Sequence, residues 1–447
     1  MLGAPGFTGS IRVPVVWVLA FALGCSGDPN LDPPKAAVLP VARGAPLNKG
    51  NGAVGTPSES APKRLAYTPT PIAEVMLTAP VRRAASPASL GEVPEILQTR
   101  AILDRWIRSE ALDPSNPWAV KHAMLVYGGE VRLTDGRPAV EALFQDFAEV
   151  TEVDGNEWLD FPTQRSGDVR IEPHTDLLLK GLVHGGILPG RQVRVKGKVF
   201  HLTDLYRHSL WKAWVVGEKT SGTSWDDTPW TLMALATWAP PHLAWVAEGD
   251  REMNLDLLTH EVVTHLHAET QFLRNAMARG EKFRKQKQGI FAYTCGGAHL
   301  LQGAAYAVAR GFGGPDDRRS VEGEVPALFF RFDLELAELD QAIAVNPDFR
   351  PVLLAQRLKF TGHFLEVAHE LAALGLYRPD MKQQQTLKRA AAEVVATVAI
   401  LDRLGLGTKL HGLKNGSTRQ LYLDYVGDAC HAAAGLDYAL GRRQIRF

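Results

Sequence analysis

Two kinds of helical segment alternate along the chain from about residue 92, and this alternation restricts the possible folds more than any other feature. Segments of the first kind are amphipathic and charged, and they cover 93–110, 138–150, 203–215, 255–279, 325–344 and 385–404. Segments of the second kind are richer in small and apolar residues, and they cover 117–127, 176–186, 229–238, 295–310, 354–375 and 420–440. The second kind recurs roughly every 50 to 70 residues, which predicts a series of six helical hairpins.

Six hairpins predict an all-α fold, an α/α toroid in which the second helices form an inner barrel and the first helices an outer one. Inner helices contact neighbours on nearly every side, which explains why they are rich in Ala and Gly. An irregular helical bundle fits the same pattern and stays open as the alternative. One or two small β-hairpins are expected as insertions, at Arg191 to Phe200 and at Glu130 to Gly136.

The first residues of the chain predict secretion. Residues 1–24 combine Arg12 with an apolar run that is too short to span a bilayer. The tetrapeptide Ala22-Leu-Gly-Cys25 resembles the signal of bacterial lipoproteins. This resemblance implies a lipid on Cys25 and attachment to a membrane of the bacterial cell envelope. Because Ser26 stands where an inner-membrane signal has Asp, it further implies the outer membrane; plain secretion is the alternative.

The remainder divides into a tether and a folded domain. Residues 25–90 are rich in Pro, Ala and Gly and show no apolar periodicity, so we expect a disordered tether. Residues 91–447 then form the helical domain. The whole chain contains 49 basic and 49 acidic residues, and this balance argues against a nucleic-acid partner.

Histidines mark five of the six predicted inner helices, and the remaining inner helix begins with an acidic pair between two tryptophans. The predicted substrate-binding residues are His122, His184, His299, His363, His431, Trp225 and Trp230. Asp226 and Asp227 at the start of that helix are the predicted general acid and base. His265 and Glu269 lie four residues apart, which suits a base with its orienting acid or half of a metal site; a structural pair is the alternative.

Two cysteines of the domain lie close to these histidines. Cys295 precedes His299 by four residues, and Cys430 directly precedes His431. Three arrangements stay open for the two thiols. They form a disulfide in an oxidising compartment, or they bind zinc together with both histidines, or they remain unpaired and buried.

Short motifs resemble enzymes that are built on α/α toroids. Tyr293-Thr-Cys-Gly-Gly-Ala-His-Leu300 resembles helix-opening segments of terpenoid cyclases and protein prenyltransferases. Asp428-Ala-Cys-His431 is similar to a zinc-ligand segment of the prenyltransferases, and Cys430-His-Ala-Ala-Ala-Gly435 is similar to the zinc-binding Cys-His-Gly segment of lanthionine synthetase cyclases. Asp226-Asp-Thr228 is similar to the acid motif of class II terpene cyclases, although Ser224 replaces its first Asp. These resemblances imply the toroid and suggest zinc as a cofactor.

In a toroid the histidines of the inner helices would line a polar central cavity. The expected function follows from this cavity and from the envelope location. The chain is predicted to be a lipid-anchored hydrolase or lyase that acts on a glycan or on peptidoglycan through aspartate acid–base chemistry. A non-catalytic binding or scaffold lipoprotein is the first alternative. A zinc-dependent enzyme with cysteine and histidine ligands is the second.

Overall fold

The computed structural model of the chain describes residues 67–153, 155–165, 169–213, 225–286 and 288–447. The predicted signal peptide, the predicted lipidation site Cys25 and most of the predicted tether lie outside these residues. The described part is mostly helical and carries small antiparallel β-hairpins, as the sequence predicts.

The helices follow one another along the chain with short connections. They are α1 (Pro94–Glu110), α2 (Pro117–Tyr127), α3 (Ala139–Phe147), α4 (Leu177–His184), α5 (Leu202–Lys212), α6 (Thr228–Trp238), α7 (Leu255–Arg279), α8 (Ala298–Ala309), α9 (Pro315–Val345), α10 (Arg350–Ala373), α11 (Met381–Arg403), α12 (Leu406–Lys409) and α13 (Arg419–Ala439). The strands are β1 (Arg83–Ala85), β2 (Glu149–Val153), β3 (Asn156–Asp160), β4 (Gln164–Arg165), β5 (Val169–Arg170), β6 (Gln192–Val195), β7 (Lys198–His201), β8 (Ala244–Ala247), β9 (Arg251–Asn254) and β10 (Gln444–Arg446).

Burial separates most of the helices into the two kinds that the sequence predicts; α3, which was predicted to be amphipathic, is an exception because six of its nine residues are buried. In α2, α4, α6, α8, α10 and α13, called the inner helices below, most residues are buried on every face. In α1, α5, α7 and α11 the buried residues form one stripe and the remaining faces are polar. This difference is expected when small apolar residues surround one set of helices and charged residues the other.

The inner helices contact one another in a closed order. Helix α2 contacts α4, α4 contacts α6, α6 contacts α8, α8 contacts α10, α10 contacts α13, and α13 contacts α2 again. Among these, α10 and α13 form the most extensive contact. These six helices are therefore linked by one continuous series of contacts.

Glycines at the crossings of the inner helices allow their backbones to approach closely. A Cβ atom on Gly362 would lie 3.0 Å from Cα of Ala432, and one on Gly303 would lie 3.0 Å from Cα of Pro229. A Cβ atom on Gly435 would lie 3.0 Å from the backbone nitrogen of Glu366. The space beside these glycines is thus filled by neighbouring inner helices.

The β-hairpins are insertions between helices. Strands β6 and β7 pair at the position predicted for residues 191–200. At residues 130–136 the structure has only a single antiparallel bridge, between Arg132 and Pro138, in place of the second predicted hairpin. The pairs β2–β3 and β8–β9 were not anticipated.

Residues 67–90, which were assigned to the tether, pack against the helical domain. Strand β1 pairs with the C-terminal strand β10. The backbone N–H of Thr78 donates to the carbonyl of Trp238, and that of Leu90 donates to the carbonyl of Ala439. The ordered domain therefore begins well before residue 91, the boundary that composition suggested.

Among the residues that the structure describes, no helix combines the length and the apolar character that crossing a bilayer requires.

Candidate functional site

A strained turn opens inner helix α8 and fixes the position of Cys295. Cys295, Gly296 and Gly297 have φ angles of 53°, 61° and 72°, so three successive residues adopt the left-handed conformation. Glycine tolerates this region, but a cysteine there carries a conformational cost. Contacts with the surrounding residues must offset this conformational cost.

Neighbouring side chains hold the turn from several sides. The carboxylate of Asp226 accepts a hydrogen bond of 2.8 Å from the backbone N–H of Thr294. The guanidinium of Arg331 donates to the carbonyl of Gly296 at 2.8 Å. A Cβ atom on Gly297 would lie 2.2 Å from Cδ1 of Ile290, so only glycine fits there. These contacts direct the sulfur of Cys295 toward the inner helices.

His299, one turn into α8, has a defined tautomer. Its Nδ1 lies 2.8 Å from the side-chain oxygen of Gln302, and the amide nitrogen of Gln302 donates to the carboxylate of Glu370 at 2.7 Å. Because the amide nitrogen faces the carboxylate, the amide oxygen must accept from the imidazole. Nδ1 of His299 is therefore protonated, and Nε2 keeps its lone pair.

His363 on α10 is arranged in the same way. Its Nδ1 lies 2.9 Å from the backbone carbonyl of Lys359, which can only accept, so Nδ1 donates. Its Nε2 is buried and has no hydrogen-bond partner among the residues that the structure describes. Burial lowers the pKa of His363 to about 4, so this lone pair is available at neutral pH.

Three ligand atoms meet between the α8 turn and α10. The sulfur of Cys295 and one nitrogen each of His299 and His363 all lie within 4.8 Å of one another. This group is called the Cys–His–His group below. A thiolate with two imidazoles suits zinc, and the fixed Nδ1 hydrogens are the supporting bonds that metal-binding histidines typically have.

The structure does not join Cys295 and Cys430, either in a disulfide or in a shared group of metal ligands. Cys430 is a free, buried thiol, whereas Cys295 takes part in a disulfide. The disulfide between Cys295 and Cys430 that the sequence left open is therefore wrong. The zinc set that included Cys430 and His431 also changes, because His363 takes their place beside Cys295 and His299.

His431 and His122 extend the cluster of imidazoles. The ring of His431 lies 3.9 Å from that of His363 and 5.6 Å from that of His299, measured between centroids. Nδ1 of His431 lies 2.6 Å from the carboxylate of Glu366, and the His122 ring lies 5.5 Å from that of His431. Burial lowers the pKa of all these histidines well below the usual range and raises the pKa of Glu366. The imidazoles are thus neutral bases.

Buried ionisable side chains stand beside this cluster. Lys121 and Lys180 are both buried and place their Nζ atoms 5.2 Å and 5.7 Å from the ring centroid of Trp230. Burial lowers the pKa of each lysine. Burial also raises the pKa of Glu370 to about 7. The interior between the inner helices is therefore polar, as the distribution of histidines predicts.

A cavity of about 500 Å³ opens next to the Cys–His–His group. Cys295 and His363 form part of its wall, together with residues of α7, α9 and α10. This volume lies within the range of pockets that enclose small molecules. A metal ion bound by the group would face this cavity.

The other predicted site residues occupy different places. Asp226 lines the cavity, whereas Asp227 accepts from the backbone N–H of Thr175 at 3.3 Å and contacts His174. His265 stacks on Trp225 at 3.9 Å and bonds to the hydroxyl of Tyr293.

Two further predicted residues stand apart from the Cys–His–His group. Glu269, predicted to orient His265, is partly exposed on α7. The ring of His184 contacts that of Tyr306, with 4.7 Å between the ring centroids and an angle of 41° between the ring planes.

Several polar residues of this region were missed by the sequence analysis. They are Lys121, Lys180, Gln302, Gln356, Lys359 and Glu370, all on inner helices. A usable signal was present, because charged and amide side chains are rare in segments that are otherwise apolar on every face. Each such residue on an inner helix was a candidate for the interior cluster.

Comparison with protein-family models, with curated proteins and with solved structures finds no match for this chain.

Proposed function

We propose that the chain is a zinc-dependent enzyme in which Cys295, His299 and His363 hold the metal. The observation that carries this proposal is the approach of their three ligand atoms to within 4.8 Å of one another. Both histidines keep the Nε2 lone pair because their Nδ1 hydrogens are engaged elsewhere. Three protein ligands beside a cavity are typical of catalytic zinc, which keeps one position for water or substrate.

The proposed architecture is the α/α toroid that the sequence predicts. The closed order of contacts from α2 through α13 supports an inner ring, and the amphipathic helices support an outer one. The buried polar residues then lie where inner helices face each other. The proposed metal position is at one end of this interior, where the α8 turn meets α10.

The chain's own residues suit proton transfer near the metal. When bound, zinc lowers the pKa of a coordinated water and so supplies a nucleophile near neutral pH. His431 lies beside His363, and its Nδ1 is 2.6 Å from a carboxyl oxygen of Glu366, so the His431–Glu366 pair is proposed as the proton acceptor. Asp226 accepts a backbone N–H of the α8 turn, which supports a positioning role for it rather than the acid–base role.

The redox state of Cys295 controls whether this site can form. A sulfur in a disulfide cannot act as a thiolate ligand, so the proposed enzyme requires reduction of that bond by a dithiol. Attachment of the chain to the outer membrane of a bacterial envelope remains part of the proposal.

Metal analysis of the purified protein tests the proposal. After reduction and incubation with zinc followed by gel filtration, the protein should retain one zinc per chain. His299→Ala and His363→Ala should each lower this content strongly. His411→Ala is the matched control, since the side chain of His411 is 78% exposed, and it should leave the content unchanged. Equal zinc content in all four proteins, or none in the reduced wild type, would refute the zinc site.

A further inference from the structure

The 500 Å³ cavity contains buried polar atoms whose hydrogen-bonding capacity is unused. Glu324 and Gln356 both line the cavity, and the two atoms concerned are the second carboxylate oxygen of Glu324 and the amide nitrogen of Gln356. Within the described part of the chain neither atom has a hydrogen-bond partner, and Nε2 of His363 on the same wall has none either. The three residues are 2%, 7% and 3% exposed. Buried polar groups are normally paired, so these atoms point to a ligand.

The positions of these atoms follow the helix geometry. His363 and Gln356 are seven residues apart on α10, which places them on one face, two turns and about 10 Å apart. Lys359 lies between them on that face, lines the same wall, and forms an ion pair of 3.3 Å with Asp424 on its other side. Glu324 lies on α9. A ligand that lies along α10 from the metal position therefore meets the amide N–H donor of Gln356 on α10 and a carboxylate acceptor, Glu324, on α9.

The charges of the wall balance. Three cationic side chains line the cavity, and so do three carboxylates. They are Lys285, Arg331, Lys359, Asp226, Glu324 and Glu335. Arg331 and Lys285 both pair with Glu335, at 2.5 Å and 2.6 Å. A wall without excess charge favours a neutral ligand over an anion or a cation.

Aromatic rings complete the lining. Phe291, Phe360 and Phe364 face the same cavity. A ligand that satisfies all of these groups must be neutral, must both donate and accept hydrogen bonds, and must present apolar C–H faces. Sugar rings have this combination, because each hydroxyl both donates and accepts while the ring faces carry C–H groups.

We infer that this cavity binds a neutral sugar of one or two rings, with a hydroxyl donating to Glu324 and an oxygen accepting from Gln356. The inference names the substrate class of the proposed enzyme and places the sugar beside the proposed zinc position. Binding itself needs no metal, since neither Glu324 nor Gln356 is a proposed ligand. Sugar binding and zinc binding can therefore fail independently.

Calorimetric titration of the chelator-treated full-length protein with the disaccharide of N-acetylglucosamine tests the inference. The wild type should bind, and Gln356→Met should weaken binding at least tenfold. The same variant should melt at an equal or higher temperature than the wild type, because it removes an unpaired buried amide. Gln356→Asn, which keeps the amide but shortens its reach, should also weaken binding and covers the case in which the methionine variant does not fold.

Gln385→Met is the matched control, because Gln385 is exposed on α11, and it should bind as the wild type does. Three outcomes would overturn the inference. They are no heat of binding with the wild type, unchanged affinity in both Gln356 variants, and tighter binding of octanamide or of an alanine dipeptide amide than of the disaccharide.

Discussion

Replacing His369 by glutamine should make the stability of the domain less sensitive to acid. His369 lies on α10 and is completely buried. Its Nδ1 lies 2.8 Å from the hydroxyl of Ser86, and its Nε2 has no partner within the described ranges. Burial lowers its pKa to about 4, whereas an unfolded histidine titrates near the ordinary value of 6.5.

The sign and size of the effect follow from this difference. Between pH 6.5 and about 4 the unfolded chain binds a proton at this position and the folded chain does not. The contribution of His369 to the free energy of unfolding is therefore complete above pH 6.5 and is lost as the pH falls toward 4. A tenfold change in proton affinity corresponds to about 1.4 kcal/mol, so the loss amounts to about 3 kcal/mol. Domains are commonly stable by about 5–15 kcal/mol, so this loss is large.

Urea unfolding followed by circular dichroism at pH 7.5 and pH 4.5 measures the effect. In His369→Gln the decrease in the free energy of unfolding between the two pH values should be smaller than in the wild type by about 3 kcal/mol. His411→Gln is the control, because His411 is largely exposed, and it should behave as the wild type does. An identical pH dependence in wild type and His369→Gln would refute the assignment of His369 as a buried neutral base.

Three further predictions concern the α8 turn, the ligand support and the N-terminal segment. Gly297→Ala should destabilise the fold by about 1–3 kcal/mol, because the new Cβ atom would overlap Ile290 and the φ angle at this position is 72°. Thermal unfolding measures this effect, and an unchanged melting temperature would contradict it. Gln302→Leu should weaken zinc binding about 10- to 100-fold, because it removes the hydrogen-bond acceptor of Nδ1 of His299. Competition with a chelating dye measures the affinity for zinc, and an unchanged affinity would exclude a supporting role for Gln302. Deleting residues 67–90 should lower the melting temperature, since β1 pairs with β10, and a deletion without effect would show that the segment adds no stability.

The sequence was sufficient to predict the positions of all the helices except the short α12 and, apart from α3, their two kinds. The inner segments near 122, 181, 233, 302, 364 and 430 all form buried helices, because small apolar residues on every face leave no other packing. The closeness of His299, His363 and His431 was expected only if their helices face one another, and their rings do lie within 5.6 Å. The periodicity of apolar residues along the chain is therefore enough to predict which segments form buried helices.

Other features depend on contacts between distant residues, which composition does not reveal. Residues 67–90 were assigned to the tether because they lack apolar periodicity, yet their order comes from backbone hydrogen bonds to Trp238, Ala439 and the final strand. The membership of His363 instead of Cys430 in the Cys–His–His group could not be predicted, because it depends on the left-handed turn at Cys295. Sequence spacing assumed a regular helix through that position.

Zinc-edge X-ray absorption on the reduced, zinc-loaded protein tests the central claim most directly. The proposed ligand set predicts one sulfur at about 2.3 Å and two imidazole nitrogens at about 2.0–2.1 Å, with the remaining position filled by a light atom. His363→Ala should lose one imidazole from this shell, or the metal with it. A shell with two sulfurs would bring Cys430 into the site and contradict the account, as would a reduced protein that binds no zinc.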